Sequence, residues 1–176
     1  MRFFSFSFIL FFLMSCKATT TENPLKKQTF NLKNCLEQNQ CSIEIIPNTN
    51  LLIKQNESEI LDVSVSKGDK IIIKYELKRV ELPNTEDGHY RELVYFEIDK
   101  KNRQLFLTNK ALQHVKMTFG RFCYCKNGGT GFFKVTNGKL KLIRNENELQ
   151  INLNFKVGKI PQIITEINET ITLIDK

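Results

Sequence analysis

A strict alternation of apolar and polar residues is the feature that most restricts the fold of this chain. Residues 148–157 read ELQINLNFKV, so every second side chain from Leu149 to Val157 is apolar and the side chains between them are polar. Segments 70–79 and 90–99 repeat the pattern. Because successive side chains of a β-strand point to opposite faces, such a segment predicts a strand that buries one face of an antiparallel sheet.

Turn residues separate the alternating segments. Asn137-Gly138 is a strong type I′ hairpin signal, and with the turns at 126–129 and 145–147 it predicts a four-strand meander over residues 115–157. Only residues 108–115 are predicted to be helical. We therefore predict an all-β fold: an antiparallel β-sandwich or open barrel of about ten strands with one short helix. The shorter predicted strands are 28–34, 41–46, 50–54, 60–65, 104–108, 115–125, 131–136, 139–144 and 165–174.

The first sixteen residues indicate export. Arg2 precedes an apolar run over residues 3–14, which is shorter than the roughly 20 helical residues that span a bilayer and is typical of a secretory signal. The sequence LMSC at residues 13–16 resembles the lipobox of bacterial lipoproteins. The resemblance implies lipidation of Cys16, cleavage before it and a durable membrane anchor. Lys17 favours the outer membrane by the same analogy. The alternative is an ordinary signal peptide, with Cys16 free or disulfide-bonded.

This interpretation divides the chain into three parts. Residues 1–15 are the predicted lipoprotein signal peptide, residues 16–27 a flexible tether, and residues 28–176 a single β domain. The formal net charge is +7, but the lysines are scattered along the strands, so we expect a solvated surface and no nucleic-acid partner. The membrane, reached through the lipid anchor, is the first partner that the sequence predicts.

Four cysteines of the β domain predict two disulfides, since an even number in an exported chain favours pairing. Cys123 and Cys125 fall in a predicted strand, where residues i and i+2 lie about 6.6 Å apart, farther than the roughly 3.8 Å between the Cβ atoms of a disulfide. We therefore expect Cys35 and Cys41 each to pair with one of Cys123 and Cys125. A four-thiolate zinc site is one alternative, but the C-x5-C and C-x-C spacings do not favour it. A redox role for Cys123-Tyr124-Cys125 is another, but a C-x-C in a strand lacks the helix dipole that lowers the thiol pKa in C-x-x-C oxidoreductases, so we expect a structural disulfide.

Few residues are candidates for catalysis. His89 lies in the segment from Glu86 to Glu92, which could serve a small hydrolase, although neighbours on a strand point to opposite faces and few of them can converge. His114 ends the predicted helix, where a cation complements the helix dipole. The motifs G-x-S-x-G and H-E-x-x-H and a phosphate loop do not occur. We therefore assign no catalytic residue, no metal and no cofactor.

Aromatic residues crowd the segment around the C-x-C motif and form the candidate binding surface. Aromatic side chains and arginine are common anchors of interfaces. The alternative is that this cluster is the densest part of the core, because aromatic residues in strands mostly serve packing. The candidate binding residues are Arg121, Phe122, Tyr124, Phe132 and Phe133.

Three stretches within residues 35–157 resemble an uncharacterised family of flavobacterial lipoproteins: NCLEQNQCSIEIIPN, ALQHVKMTFGRFCYC and GTGFFKVTNGKLKL. The resemblance implies a Gram-negative envelope and a shared fold, but no reaction. We expect an outer-membrane lipoprotein, on the periplasmic face because KATTTE lacks an acidic cluster, whose non-catalytic domain binds an envelope protein or glycan. The alternatives are the small hydrolase and a purely structural envelope protein.

Overall fold

The computed structural model describes residues 25–56, 61–81, 89–125, 129–158 and 160–174. The predicted signal peptide and Cys16 lie outside these residues, as do Glu86 and Asp87. Within the described ranges, no helix has both the length and the apolar character to cross a bilayer.

The described residues form ten strands and one short 3-10 helix, so the predicted all-β fold is confirmed. The helix, Asn109–Val115, follows Thr108 at its N-cap, whose side chain makes no capping hydrogen bond. The strands are β1 (Gln28–Leu32), β2 (Asn39–Gln55), β3 (Leu61–Arg79), β4 (Tyr90–Asp99), β5 (Gln104–Thr108), β6 (Thr118–Cys123), β7 (Gly131–Lys134), β8 (Gly138–Arg144), β9 (Glu148–Phe155) and β10 (Glu166–Thr172).

The strands form two antiparallel sheets that enclose the main core. One sheet has the order β1-β2-β3-β4-β6-β7 and the other the order β10-β9-β8-β5. The alternation predicted these buried faces correctly: Leu149, Ile151, Leu153 and Phe155 of β9 are each at most 2% exposed, and the polar residues between them lie on the outer face. Apolar burial of this extent is the main force that holds the two sheets together.

The six-stranded sheet closes on itself in a small barrel-like turn. β7 pairs with β6 and also reaches β3, where Phe132 faces Leu61. The same row continues through Gly120 to Leu93. A Cβ atom added to Gly120 would lie 2.5 Å from the ring of Phe132, so only glycine allows this ring to cross β6 without displacement.

Strands β2 and β3 are each longer than predicted. Two predicted strands at 41–46 and 50–54 are one strand in the structure, and so are those at 60–65 and 70–79. The register of the β2–β3 pair shifts between Pro47 and Thr49. Proline lacks the N–H that a sheet ladder needs, which accounts for the irregularity at this point.

The predicted four-strand meander is wrong. β6 pairs with β7 and β8 with β9, but β7 and β8 belong to different sheets. Asn137-Gly138 is therefore a crossover between sheets and not a hairpin. Gly138 has a φ of 153°, and a Cβ atom there would lie 2.4 Å from the backbone oxygen of Asn154. Gly138 is required here because the backbone of β9 approaches it closely. The Asn-Gly pattern does not distinguish this requirement from that of a type I′ turn.

Two disulfides are present in the part of the chain that the structure describes, but the predicted pairing is wrong. Cys35 is bonded to Cys41 and Cys123 to Cys125, with Cα–Cα distances of 5.5 and 5.3 Å. The prediction assumed a strand through Cys125, whereas β6 ends at Cys123 and the chain then turns. Long-range bonds would each have contributed about 4.5 kcal/mol by loop closure, whereas these local loops contribute about 2.4 and 1.6 kcal/mol.

Candidate functional site

A depression of about 400 Å³ lies at one end of the six-stranded sheet, where β3 ends, β4 begins and β6 ends. We call it the Tyr124 depression. Its volume is within the range of small-ligand sites. The residues that line it are Lys78, Glu81, His89, Tyr90, Arg91, Phe122, Cys123 and Tyr124.

Sheet register brings the lining residues together. Lys78 pairs with Arg91, and Arg91 pairs with Phe122, so the three side chains form one row across β3, β4 and β6. Tyr90 pairs with Cys123 in the next row, on the opposite face of the sheet. The depression therefore wraps around the end of the sheet and has walls from both faces.

Aromatic rings form the apolar part of the depression. The side chain of Tyr124 is 75% exposed, the largest exposure among the exposed large hydrophobic residues that the structure describes. Phe122 is half-buried and packs edge-on against Phe132, with ring centroids 5.1 Å apart. The guanidinium of Arg91 lies 5.1 Å from the Phe122 ring centroid. An exposed ring beside a supported ring is the arrangement that stacks on a ligand's apolar face.

Positive charge surrounds Tyr90 at the inner wall. The guanidinium of Arg79 lies 4.8 Å from the Tyr90 ring centroid and that of Arg121 lies 5.5 Å from it. The hydroxyl of Tyr90 donates a hydrogen bond to Glu92. Burial and this hydrogen bond to a carboxylate raise the pKa of Tyr90 above its ordinary value. The ring is therefore neutral at physiological pH and contacts two cations.

Glu81 is the carboxylate of the depression, and it is already paired. Its Oε1 lies 2.9 Å from Nδ1 of His89 and 3.5 Å from Nζ of Lys78. The electrostatic interaction with His89, present when the imidazole is protonated, is the largest cause that lowers the pKa of Glu81. Arg91 has a more distant partner in Glu76, at 3.7 Å. The combined charge of the lining residues is therefore positive.

The structure separates the five predicted binding residues. Phe122 and Tyr124 line the Tyr124 depression. Arg121 lies behind it and is 8% exposed, while Phe132 packs against Phe122 and Tyr95. Phe133 packs against the main core and borders a different depression, of about 540 Å³. Whether Phe122 and Tyr124 bind a ligand stays a prediction.

The predicted hydrolase residues are also separated. Glu92 is fully buried and accepts hydrogen bonds from the backbone N–H groups of Ile163 and Ile164, so it is not available in the depression. His89 does line the depression, together with Glu81, which lies outside the predicted segment from Glu86 to Glu92. His114 is exposed in the last turn of the 3-10 helix. Across the described ranges, no group of three or more His, Cys, Asp and Glu residues could hold a metal ion.

The sequence did not indicate Lys78 and Glu81 as members of a site. It placed Tyr90 and Arg91 only in the candidate segment from Glu86 to Glu92 and did not join them to Phe122 and Tyr124. The available signal was the order of the strands: two long alternating segments separated by the break at 82–88 are neighbours in an antiparallel hairpin, so residues that flank the break must meet. The contribution of β6 depends on its pairing with β4 across an intervening strand and helix.

Comparison of the chain with protein-family models, with curated proteins and with solved structures gives no match.

Proposed function

We propose that this chain is a lipid-anchored protein of a bacterial envelope whose β domain binds a ligand through the Tyr124 depression without transforming it. The observation that carries the proposal is the exposed ring of Tyr124 beside the supported ring of Phe122 and the cations Lys78 and Arg91. Such a surface fits a ligand with one apolar face and one anionic group.

The size of the depression favours a glycan over a protein. Its volume of about 400 Å³ accommodates a small ligand. A stable protein partner, in contrast, buries about 800 Å² of each surface. A sugar ring offers an apolar face that stacks on tyrosine, and an acidic sugar adds the anionic group. We therefore propose an acidic envelope glycan as the ligand.

The binding test compares two exposed aromatic residues. The full protein in detergent is titrated with acidic oligosaccharides and with neutral ones of the same length. Tyr124→Ala is expected to weaken binding of the acidic series by about tenfold or more, because truncation of an aromatic residue that anchors a ligand costs about 2 kcal/mol or more and about 1.4 kcal/mol is tenfold. Phe106→Ala is the matched control, since Phe106 is 63% exposed on the other sheet beside Lys141.

The two variants give a clear decision. If Tyr124→Ala binds the acidic oligosaccharides more weakly and Phe106→Ala binds them unchanged, the Tyr124 depression is supported as the binding site. Equal binding of neutral and acidic sugars would contradict the ligand class. Full binding by Tyr124→Ala would contradict the site. Failure of the unmodified protein to bind either series would contradict the binding function and favour the purely structural envelope protein.

Anchoring is tested separately. Mass spectrometry of the native protein is expected to find an acylated Cys16 as the first residue, and Cys16→Ala is expected to abolish acylation and membrane retention. An unprocessed N-terminal methionine on the native protein would contradict the anchor.

A small hydrolase is the second candidate, and the Glu81–His89 pair favours it. A carboxylate 2.9 Å from an imidazole nitrogen is the arrangement that orients a general base toward water. A hydrolase would release a product from a bound oligosaccharide, and His89→Ala would stop release more than it weakens binding. The binding proposal expects no product with either form of the protein.

A further inference from the structure

The Cys123–Cys125 disulfide closes a ring around one intervening residue, Tyr124. Cys123 lines the Tyr124 depression and both cysteines are half-buried, so solvent reaches this region of the chain. The Cys35–Cys41 disulfide is in a different environment, because Cys41 is 5% exposed and belongs to the main core. The two disulfides therefore differ at one sulfur: Cys41 is buried, whereas Cys35 is half-buried like Cys123 and Cys125.

A fixed positive charge contacts one of the two sulfur atoms. Nη2 of Arg121 lies 3.2 Å from Sγ of Cys125. The guanidinium is 8% exposed and donates further hydrogen bonds, from Nε to the Tyr90 hydroxyl at 3.4 Å and from Nη1 to the backbone oxygen of Gly129 at 3.3 Å. These contacts keep the charge in place whether or not the sulfur is bonded to Cys123.

The charge has a chemical consequence for disulfide exchange. A neighbouring arginine stabilises a thiolate, and a sulfur that is more stable as a thiolate is the better leaving group. When the bond breaks, the electron pair is therefore best accommodated on Cys125, beside Arg121. Cys123 is the sulfur that an incoming thiolate is expected to attack.

The backbone supports the same division of roles. Cys123 is the last residue of β6 and pairs with Tyr90, and its N–H donates to Oγ1 of Thr130 at 3.3 Å. Cys125 lies beyond the strand, where the chain has left the sheet. After the bond breaks, Cys123 remains held by the sheet while Cys125 can move away as the leaving group.

From these observations we infer that the Cys123–Cys125 disulfide is an exchange-active bond that oxidises a dithiol, a role that lies beyond ligand binding. A thiolate of the dithiol attacks Sγ of Cys123 and forms a mixed disulfide, and Cys125 leaves as a thiolate beside Arg121. The second thiolate of the dithiol then attacks its own partner sulfur and releases Cys123 as a thiolate. Two electrons pass from the dithiol to the protein, and the two thiolates take up the two protons that the dithiol loses.

The test measures both disulfides in the same sample of the full protein. Reduced dithiothreitol is the dithiol probe, the reaction is quenched by alkylation at set times, and peptide mass spectrometry scores each cysteine. We expect Cys123 and Cys125 to be alkylated about tenfold faster than Cys35 and Cys41. Equal rates, or earlier reduction of Cys35–Cys41, would overturn the inference. No ligand of the depression is needed, so the result does not depend on the proposed binding function.

Arginine variants test the role assigned to the guanidinium. Arg121→Gln is expected to slow reduction of Cys123–Cys125 by about threefold to tenfold, and Arg121→Lys, which keeps the charge, to slow it less. Both variants should leave the rate for Cys35–Cys41 unchanged, and this internal control reports whether the domain has stayed folded. If both disulfides are reduced faster in Arg121→Gln, the variant has lost its fold. The inference then stands or falls on the relative reduction rates of the two disulfides in the unmodified protein. An unchanged rate in folded Arg121→Gln would overturn the role of the charge.

Discussion

The buried carboxylate of Glu92 accepts a hydrogen bond of 2.7 Å from the backbone N–H of Ile164, 72 residues farther along the chain. Its other oxygen accepts a second bond of 2.7 Å from the N–H of Ile163. Glu92 thus ties the connection between β9 and β10, in the four-stranded sheet, to β4 of the six-stranded sheet. It satisfies two backbone donors that would otherwise be desolvated.

Replacing Glu92 is expected to be costly. Glu92→Ala leaves both N–H groups without their acceptor, so we expect the free energy of unfolding in urea to fall by about 3 kcal/mol. Glu146→Ala is the control, because Glu146 is exposed in the turn between β8 and β9 and should change it by less than about 0.5 kcal/mol. Equal effects of the two variants would contradict the assigned role of Glu92.

A second buried carboxylate, Glu97 of β4, holds the far part of the β2–β3 hairpin. Its Oε2 accepts a 2.7 Å hydrogen bond from the N–H of Leu51, and its Oε1 lies 2.8 Å from Nζ of Lys116. The same Nζ donates to the backbone oxygen of Leu51 at 2.8 Å. Lys116 therefore bridges the carboxylate and the strand beyond the register shift at Pro47.

Removing the charge of Lys116 should loosen this part of the hairpin. Lys116→Met keeps the apolar stem but loses both bonds, so we expect the amide of Leu51 to exchange with deuterium about tenfold faster. The amide of Ile43, before the register shift, should keep its rate. Lys141→Met, on the outer face of the other sheet, is the control for a lost surface charge. Unchanged protection of Leu51 in Lys116→Met would show that the bridge does not hold the hairpin.

Sequence periodicity predicted the buried residues correctly in strands that bury only one face. In β9 every apolar residue from Leu149 to Phe155 is buried, because the pattern and the two-residue period of a strand agree. The same reasoning was insufficient in β4, where Leu93 is buried as well as Val94. Closure of the barrel-like turn covers the second face of β4, and the sequence of one strand does not show what covers it.

The candidate site was harder to predict because it depends on contacts between distant segments. Phe122 and Tyr124 were identified from their own sequence neighbourhood, but Arg91 joins Phe122 only through the β4–β6 register. The disulfide pairing was mispredicted for a related reason: ending β6 two residues earlier than predicted turns an impossible Cys123–Cys125 bond into a local one. An error of two residues at the end of a strand leaves the predicted fold class unchanged, but it changes which side chains can contact each other at a site.

Tyr75 gives a prediction for alkaline pH. Burial, with a smaller contribution from the negative charge of Glu169, raises the pKa of Tyr75 from 10.0 to about 12. Because the folded-state pKa lies above the unfolded value, the neutral ring contributes stability that is complete below pH 10 and is lost as the pH rises toward 12. Unfolding in urea from pH 9 to 12 should therefore show falling stability.

Tyr75→Phe is the matched variant for this pH effect. It removes the titrating hydroxyl while the ring stays in the core, so its stability should fall less steeply between pH 10 and 12 than that of the unmodified protein. Phenolate absorbance should also lose its latest-titrating component. Parallel stability curves for the two proteins would contradict the assignment to Tyr75.

The two disulfides are expected to contribute unequally to stability. Cys35→Ala with Cys41→Ala should lower the free energy of unfolding by about 2.4 kcal/mol through loop closure, plus the loss of packing around buried Cys41. Cys123→Ala with Cys125→Ala opens the smaller ring at a half-buried position, so about 1.6 kcal/mol or less is expected. Urea denaturation of the two double variants under oxidising conditions measures both values. A larger loss from the Cys123 and Cys125 pair would mean that this bond is mainly structural, because a bond that must open during exchange should not be one on which the fold depends.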